Sequence, residues 1–449
     1  MVHAEPGQGS VVSNAPRIKG STNGARSGSG RLSPVVLQVR GIVLPEREER
    51  SFWIDGDRLR TEPVPDADVV VEGGWLLPGL VDVHTHPGTE VHDAPFSDEM
   101  LRLHLTDHRD AGVLLVRTPG SAARIPDWVD EDPQLPRVRS AGRWLATPGR
   151  FFPGLGRDVS EEDLVHAAVE EAKASSGWCK VIADWRHDEP ALPRDILSAV
   201  VQAVHAIGGR VAAHCQTADG SLNAVRAGVD SLEHGMHLDP GLIDQMASQD
   251  TAFVPTLSAF GAGADRRRAE EPSARRDWWL AGWEAMLPNV RAAHEAGVTV
   301  LAGTDRFPCG TVTSEVEWLV RAGLSAEAAL GAASWSARSW LGLPGLVDGG
   351  PATLSPMTRT RRSTARLWPT RAASSCGAES SPDTRRRLSA LRRSRIDVCR
   401  SRTVVKRGHQ PATTAARTGV RLRSGIPAQA GPTAQEPASR CPRTDRRQS

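Results

Sequence analysis

The sequence predicts an α/β protein: a (β/α)8 TIM-like barrel with a small, incomplete β-sandwich domain contributed by the N-terminal flank. Three observations carry this. From Leu80 onward, apolar strand-like runs alternate with helical segments. Several helical segments stop at a glycine (Gly112, Gly177, Gly208, Gly228, Gly297), the usual helix terminator. Eight strand–helix units in roughly 260 residues suit a closed barrel better than an open doubly wound sheet. Periodicity alone leaves the open sheet as an alternative. The polar residues that end the apolar runs decide for the barrel, because its strand ends surround one mouth.

Taken in order, residues 1–33 are rich in Gly, Ser and Asn and read as a disordered leader. Three short β-like runs follow at 35–39, 50–54 and 69–72. The second ends in the turn signal Asp55-Gly56-Asp57 and the third in Gly73-Gly74. Residues 34–77 therefore form part of the small β domain. The barrel is expected over 78–345, with strands at 80–84, 113–117, 143–146, 181–183 (Lys180 at its head), 211–214, 231–234, 253–257 and 298–303. Helical periodicity marks 161–174, 194–207, 240–247 and 285–296. Residues 346–351 return to the β domain, and a basic low-complexity tail occupies 352–449.

Composition sharpens this division. The 449 residues are 39% hydrophobic with a formal net charge of +2, which excludes wholesale disorder. No run of about 18 apolar residues exists to cross a membrane. Yet residues 352–449 hold 22 of the 55 Lys+Arg and only 5 of the 53 Asp+Glu, so a tail of net +17 follows a body of net −15. Cys179, Cys215, Cys309, Cys376, Cys399 and Cys441 form no CxxC pair, which argues against a zinc ribbon or a disulfide scaffold. With no basic-then-apolar leader, a cytoplasmic location is expected.

The chemistry gathers at strand ends. Leu80-Val81-Asp82-Val83-His84-Thr85-His86 is an apolar strand ending in His-x-His. Side chains two apart on a strand share a face, and two converging imidazoles begin a transition-metal site. Lys180, His214, His234 and Asp305 follow, each at or beside another apolar run. Singly, each has a plain explanation: a buried histidine is usually satisfied in the core, and an Asp after a strand often caps a helix. Lys180 is harder to explain so, since the chain has four lysines in all and a lone buried ammonium is costly. Together the six residues fall on strands one, four, five, six and eight and would meet at one mouth. By strict alternation Glu233 faces away from His234 as a structural residue, and Cys179 and Cys215 also point outward. Trp185 and Phe151-Phe152 are candidate pocket walls; His187 and His237 lie in nearby loops.

Pro-Gly-Leu-Val-Asp-Val-His-Thr-His (78–86), Ser-Leu-Glu-His-Gly (231–235) and Ala-Gly-Thr-Asp (302–305) resemble the amidohydrolase superfamily, over roughly residues 34–350. The chain looks most like the imidazolonepropionase-like amidohydrolases and the metal-dependent dipeptidases. The resemblance implies that His84, His86 and Asp305 hold the more buried metal, and His214 and His234 the second. Lys180 matches the lysine that CO2 carboxylates in binuclear members. The implied activity is hydrolysis of an amide, cyclic amide or dipeptide C–N bond by metal-activated water. One or two divalent ions, zinc first among them, would assist, with Asp305 as the catalytic proton carrier. A mononuclear deaminase or imidazolonepropionase-type hydrolase is the enzymatic alternative, and an inactive remnant with a basic binding tail the other.

After residue 351 the chain departs from the family pattern, and a reading-frame shift near 350–358 would restore an Asp-Leu-Val segment. Without closing strands, the small sheet would keep exposed edges. The tail has one lysine, no aromatic interleaving beyond Trp368 and no nucleic-acid module, so nucleic acid is not an expected partner. The expected partner is a small-molecule substrate, with homo-oligomerisation open and no membrane association. Arginines in 143–157 and 259–276 are either substrate-carboxylate contacts or solvated loop charges.

Overall fold

The computed structural model describes residues 36–357 apart from 92 and 153. Expectations for the leader, for the tail from Thr358 onward and for its altered frame lie outside the described residues.

The chain begins with β1 (Leu37–Val43), β2 (Glu48–Asp55), β3 (Arg58–Arg60) and β4 (Asp68–Pro78). β1 alternates buried and more exposed positions, so Leu37, Val39 and Val43 face a core shared with Phe52, Ile54, Leu59 and Leu76. It pairs antiparallel with β2 and parallel with β4. The Gly73-Gly74 stop expected from sequence is instead crossed. Arg40 pairs with Glu72 and Ile42 with Trp75, so the two positive-φ glycines bulge out and the strand resumes to Pro78.

β4 runs almost directly into β5 (Leu80–Asp82), the first stave of the barrel. β6 (Val113–Thr118), β7 (Arg137–Ser140), β8 (Trp144–Ala146), the short β9 (Arg157–Asp158), β10 (Trp178–Ile182), β11 (Arg210–Cys215), β12 (Ser231–His234) and β13 (Ala252–Val254) follow. β5-β6-β7 and β13-β12-β11-β10-β8-β9 are two parallel sheets. β7 and β8 are halves of one broken stave, bridging from β6 to β10. The eighth stave, expected at 298–303, forms no regular ladder. It still closes the ring: Phe253 N donates to Thr299 O, Leu301 N to Phe253 O, and Val83 N to Ala302 O, at 2.9–3.0 Å.

Apolar helix faces cover the barrel. Leu197, Val200, Val201 and Val204 of helix Arg194–His205 pack in the main core with Cys179, Val181, Val211 and Cys215. Both cysteines thus lie in the strand–helix layer, the outward side expected for them. Two helices differ from the sequence reading. The expected loop at 259–276 is largely helix Leu257–Arg268, masked in the sequence by Gly261 and Gly263; a Cβ at Gly261 would stand 2.5 Å from the Trp318 ring. The helix expected at 285–296 starts at Ala274, where Ser273 Oγ accepts from Arg276 N.

The barrel is followed by β14 (Leu354–Met357), which pairs antiparallel with β4 from Leu354↔Pro78 to Met357↔Trp75. This corrects the tail boundary at 352: the sheet, in order β14-β4-β1-β2-β3, takes in four residues assigned to the tail and covers the β4 edge expected to be bare. Ala352 and Leu354 alternate into its core, which the absence of a family-like segment concealed. Among the described residues, no helix is long and apolar enough to cross a membrane.

Candidate metal centre

The six predicted ligands all lie on the barrel staves or just beyond them: His84 and His86 after β5, Lys180 in β10, His214 in β11, His234 at the end of β12, and Asp305 after the eighth stave. His84 Nε2 and His86 Nε2 are 3.2 Å apart, and Asp305 Oδ1 lies 3.7 and 3.3 Å from them. His234 Nδ1 is 3.9 Å from Asp305 Oδ2. One ligand atom each from His84, His234 and Asp305 falls within 4.8 Å of the others. The His214 ring stands 4.6 Å from that of His234, centroid to centroid. Lys180 is buried, and among the described residues its ammonium makes no hydrogen bond or ion pair.

Hydrogen bonds set the ring tautomers. His84 Nδ1 donates to Glu233 Oε2 at 2.7 Å, and His86 Nδ1 to the Gly120 carbonyl at 2.8 Å. A carboxylate and a carbonyl only accept, so in the neutral rings both Nε2 atoms present lone pairs. Two lone pairs 3.2 Å apart, with a carboxylate oxygen beside them, repel unless a cation lies among them. A tetrahedral ion with bonds of about 2.0–2.1 Å spaces its ligand atoms about 3.3 Å apart. The observed edges of 3.2, 3.3 and 3.7 Å fit such a face. His214 Nε2 is buried without a hydrogen-bond partner, a nitrogen whose lone pair suits a cation.

Burial keeps the His84, His214 and His234 imidazoles neutral. It pushes His84 down to about 4, against the opposing pull of Asp305 and Glu233. Burial holds His214 and His234 well below the usual histidine range, helped by Lys180 for the first and by His214 and His84 for the second. Burial also lowers Lys180 to about 8, with Glu233 opposing. Burial alone would raise Glu233; Arg117, Lys180 and His84 outweigh it and hold the carboxyl well below its ordinary value.

Glu233 corrects the alternation argument. Its carboxylate lies inside the barrel, accepting from His84 Nδ1, from Arg117 Nη1 at 3.0 Å and from Ser231 Oγ at 2.6 Å. His234, the next residue, nevertheless reaches the same site because its φ is 69°, which breaks the two-residue period at the rim. Thr256 (φ 51°) and Asp305 (φ 43°) share this left-handed backbone, and Thr256 Oγ1 is 2.8 Å from His234 Nδ1. Such strain clusters where a rim must aim side chains.

Arg117 and Asp82 escaped the sequence reading. Arg117 is fully buried in Val113-Leu-Leu-Val-Arg-Thr118, over the Trp178 ring at 4.3 Å, and also donates to Val83 O and Ser231 Oγ. The signal was available: a lone cation in an apolar strand, the same argument that singled out Lys180. Asp82 accepts from Thr304 N, Thr304 Oγ1 and His84 N, tying the first stave to the eighth below the ligands. Burial pushes it up to about 7 despite those bonds.

Trp185, Phe151 and Phe152 do converge on the site: the Phe151 ring lies 5.2 Å and Trp185 5.9 Å from His214. His187 and His237 instead flank Trp278, at 5.2 and 4.5 Å. The loop arginines are largely engaged elsewhere. Arg143 and Arg157 bind buried Glu171, Arg150 binds Pro190 O, and Arg267, Arg268 and Arg276 pair with Glu270, Asp265 and Asp277.

A family model described as "Amidohydrolase family" matches residues 75–350. Curated relatives, uncharacterized proteins of Mycobacterium tuberculosis and Mycobacterium bovis, are each 40% identical over 338 residues, covering 72% of this chain and 90% of the relative. Among solved structures, a Xaa-Pro dipeptidase with bound methionine shares the fold at TM-score 0.61 with 23% identity, over 71% of this chain and 93% of its own. A putative prolidase from Bifidobacterium longum does so at 0.61 and 24%, over 72% and 88%. The A. niger ochratoxinase gives 0.60 and 19%, over 71% and 88%. The matched span includes both ends of the predicted ligand set, from the His-x-His of the first stave to the Asp305 of the eighth: the chain belongs to the amidohydrolase family.

Proposed function

We propose that the chain hydrolyses a C–N bond (amide, cyclic amide or dipeptide) in a small molecule. In this reading one or two divalent ions, zinc first among them, are held by His84, His86, His214, His234 and Asp305. The observation that carries it is the pair of Nε2 atoms facing each other across 3.2 Å beside a carboxylate. When bound, the ions supply a Lewis acid that activates water and polarises the scissile carbonyl. The protein's own part is fixed beforehand: Glu233 and the Gly120 carbonyl keep both protons on Nδ1, so His84 and His86 present lone pairs without rearranging. Asp305 takes a proton from the attacking water and delivers it to the leaving nitrogen, so that water and amide become acid and amine. Lys180, once carboxylated by CO2, would offer the site an anionic oxygen ligand; its buried ammonium, close enough to feel Glu233 and Asp305 yet without a hydrogen bond or ion pair among the described residues, supports that fate.

A one-ion enzyme with Lys180 as a plain amine is the second reading, favoured by the single compact group that His84, His234 and Asp305 form. Elemental analysis combined with turnover on an amide, cyclic-imide and dipeptide panel tests both. Two ions per chain, one of them lost together with turnover in Lys180→Ala, is the expected result. One ion, unchanged in that variant, selects the second reading, and stoichiometric metal without any turnover rejects hydrolysis.

A further inference from the structure

We infer that the rings beside His214 form a specificity wall, and that the substrate carries an aromatic or bulky apolar, uncharged group at that end of the scissile bond. This rests on the hydrolase reading above and names its substrate class. Phe151 and Phe152 come from the loop after β8, and Trp185 from the loop after β10. Ring centroids are 4.4 Å apart for Phe151–Phe152, 4.8 Å for Phe151–Trp185 and 5.3 Å for both Phe152–Trp185 and Phe151–Trp144. Phe151, Phe152 and Trp185 are thus one contiguous, partly exposed surface backed by the buried Trp144, with Phe151 directly against His214.

Three features show that this surface is held in place. Phe151 has φ 59°, a left-handed conformation costly for a bulky side chain, which persists only where the surroundings enforce it. Asp184, next to Trp185, accepts from Gln216 N, Thr217 N and Thr217 Oγ1, pinning that loop to the one after β11. Trp144 commits its indole N–H to Leu155 O at 3.1 Å, turning its polar atom away from the other rings. The nearby arginines have other partners: Arg150 bonds to Pro190 O, and Arg186 stands 3.8 Å from Glu189. The rings themselves therefore offer an apolar face that carries no charge, a poor seat for a carboxylate and a good one for a ring.

The test compares phenylacetohydroxamate with acetohydroxamate on the zinc-loaded full chain by titration calorimetry, in wild type, Phe151→Ala, Trp185→Ala and Phe151→Leu. The expected result is that wild type prefers the phenyl compound at least tenfold. That ratio should fall below threefold in either alanine variant and be largely kept in Phe151→Leu, which retains an apolar side chain. Equal affinities in wild type, or a preference untouched by Phe151→Ala, overturn the inference while acetohydroxamate binding leaves the metal site standing. Failure of both compounds to bind removes the metal site and the inference with it.

Discussion

Replacing Glu233 by Gln probes the link between barrel interior and site. Its two oxygens have separate duties: one faces Arg117 Nη1 at 3.0 Å and the other His84 Nδ1 at 2.7 Å, with both acid and arginine fully buried. Breaking a buried pair by removing one partner costs about 3–5 kcal/mol, because the other charge is left uncompensated. A glutamine keeps one acceptor for Arg117, so a loss near the bottom of that range, about 3 kcal/mol, is expected. Its amide nitrogen then faces His84 Nδ1, donor against donor, driving the ring proton to Nε2 and removing the lone pair aimed at the site. Metal affinity should fall roughly 10- to 100-fold, the usual penalty for losing the group that orients a ligand histidine. Guanidinium denaturation of the metal-free chain reads the first effect and chelator competition for zinc the second. The double variant Arg117→Met/Glu233→Gln should recover part of both, since it removes the stranded charge and frees the amide oxygen to accept from His84 Nδ1 again. Stability within about 0.5 kcal/mol of wild type, together with unchanged zinc affinity, would refute the reasoning.

Three further outcomes follow from particular contacts. Burial depresses His84 to about 4 and His108 to about 3, so their contribution to stability is complete above the ordinary value of about 6.5 and is lost as pH falls through the folded values; the denaturation midpoint of the metal-free chain should drop steadily between pH 6.5 and 4, and a flat profile contradicts it. Gly120→Ala sets a Cβ 2.8 Å from Lys180 Cβ at a φ of +93°, in the residue whose carbonyl orients His86, and should lower both thermal stability and metal content; wild-type metal content in a folded variant contradicts it. Leu354→Ala empties a fully buried position between β14 and β4, with an expected cost of about 2–5 kcal/mol by chemical denaturation; a negligible change would show that β14 does not close the small sheet.

Residue type and spacing made most of the barrel legible. The apolar runs ending in His84, His214, His234 and Asp305 needed only period-two alternation and helix stops to be placed around one mouth. What escaped were the positions where local rules yield to packing. Glu233 and His234 are neighbours that both serve the site, because a left-handed residue interrupts the strand, and nothing in Ser-Leu-Glu-His-Gly announces that φ. Gly73-Gly74 reads as a stop, yet it is a bulge, because β1 offers a continuous partner on both sides of it. Helix Leu257–Arg268 hides behind glycines that make room for Trp318 and Trp279, a reason visible only in three dimensions. Arg117 was legible and was passed over.

The central claim is that His84, His86 and Asp305 surround a cation. A crystal grown with zinc and measured at the zinc absorption edge tests it most directly. The account predicts an anomalous peak about 2.0–2.1 Å from both His84 Nε2 and His86 Nε2. Absence of a peak there, with the two imidazoles unchanged and zinc bound elsewhere or not at all, would contradict it.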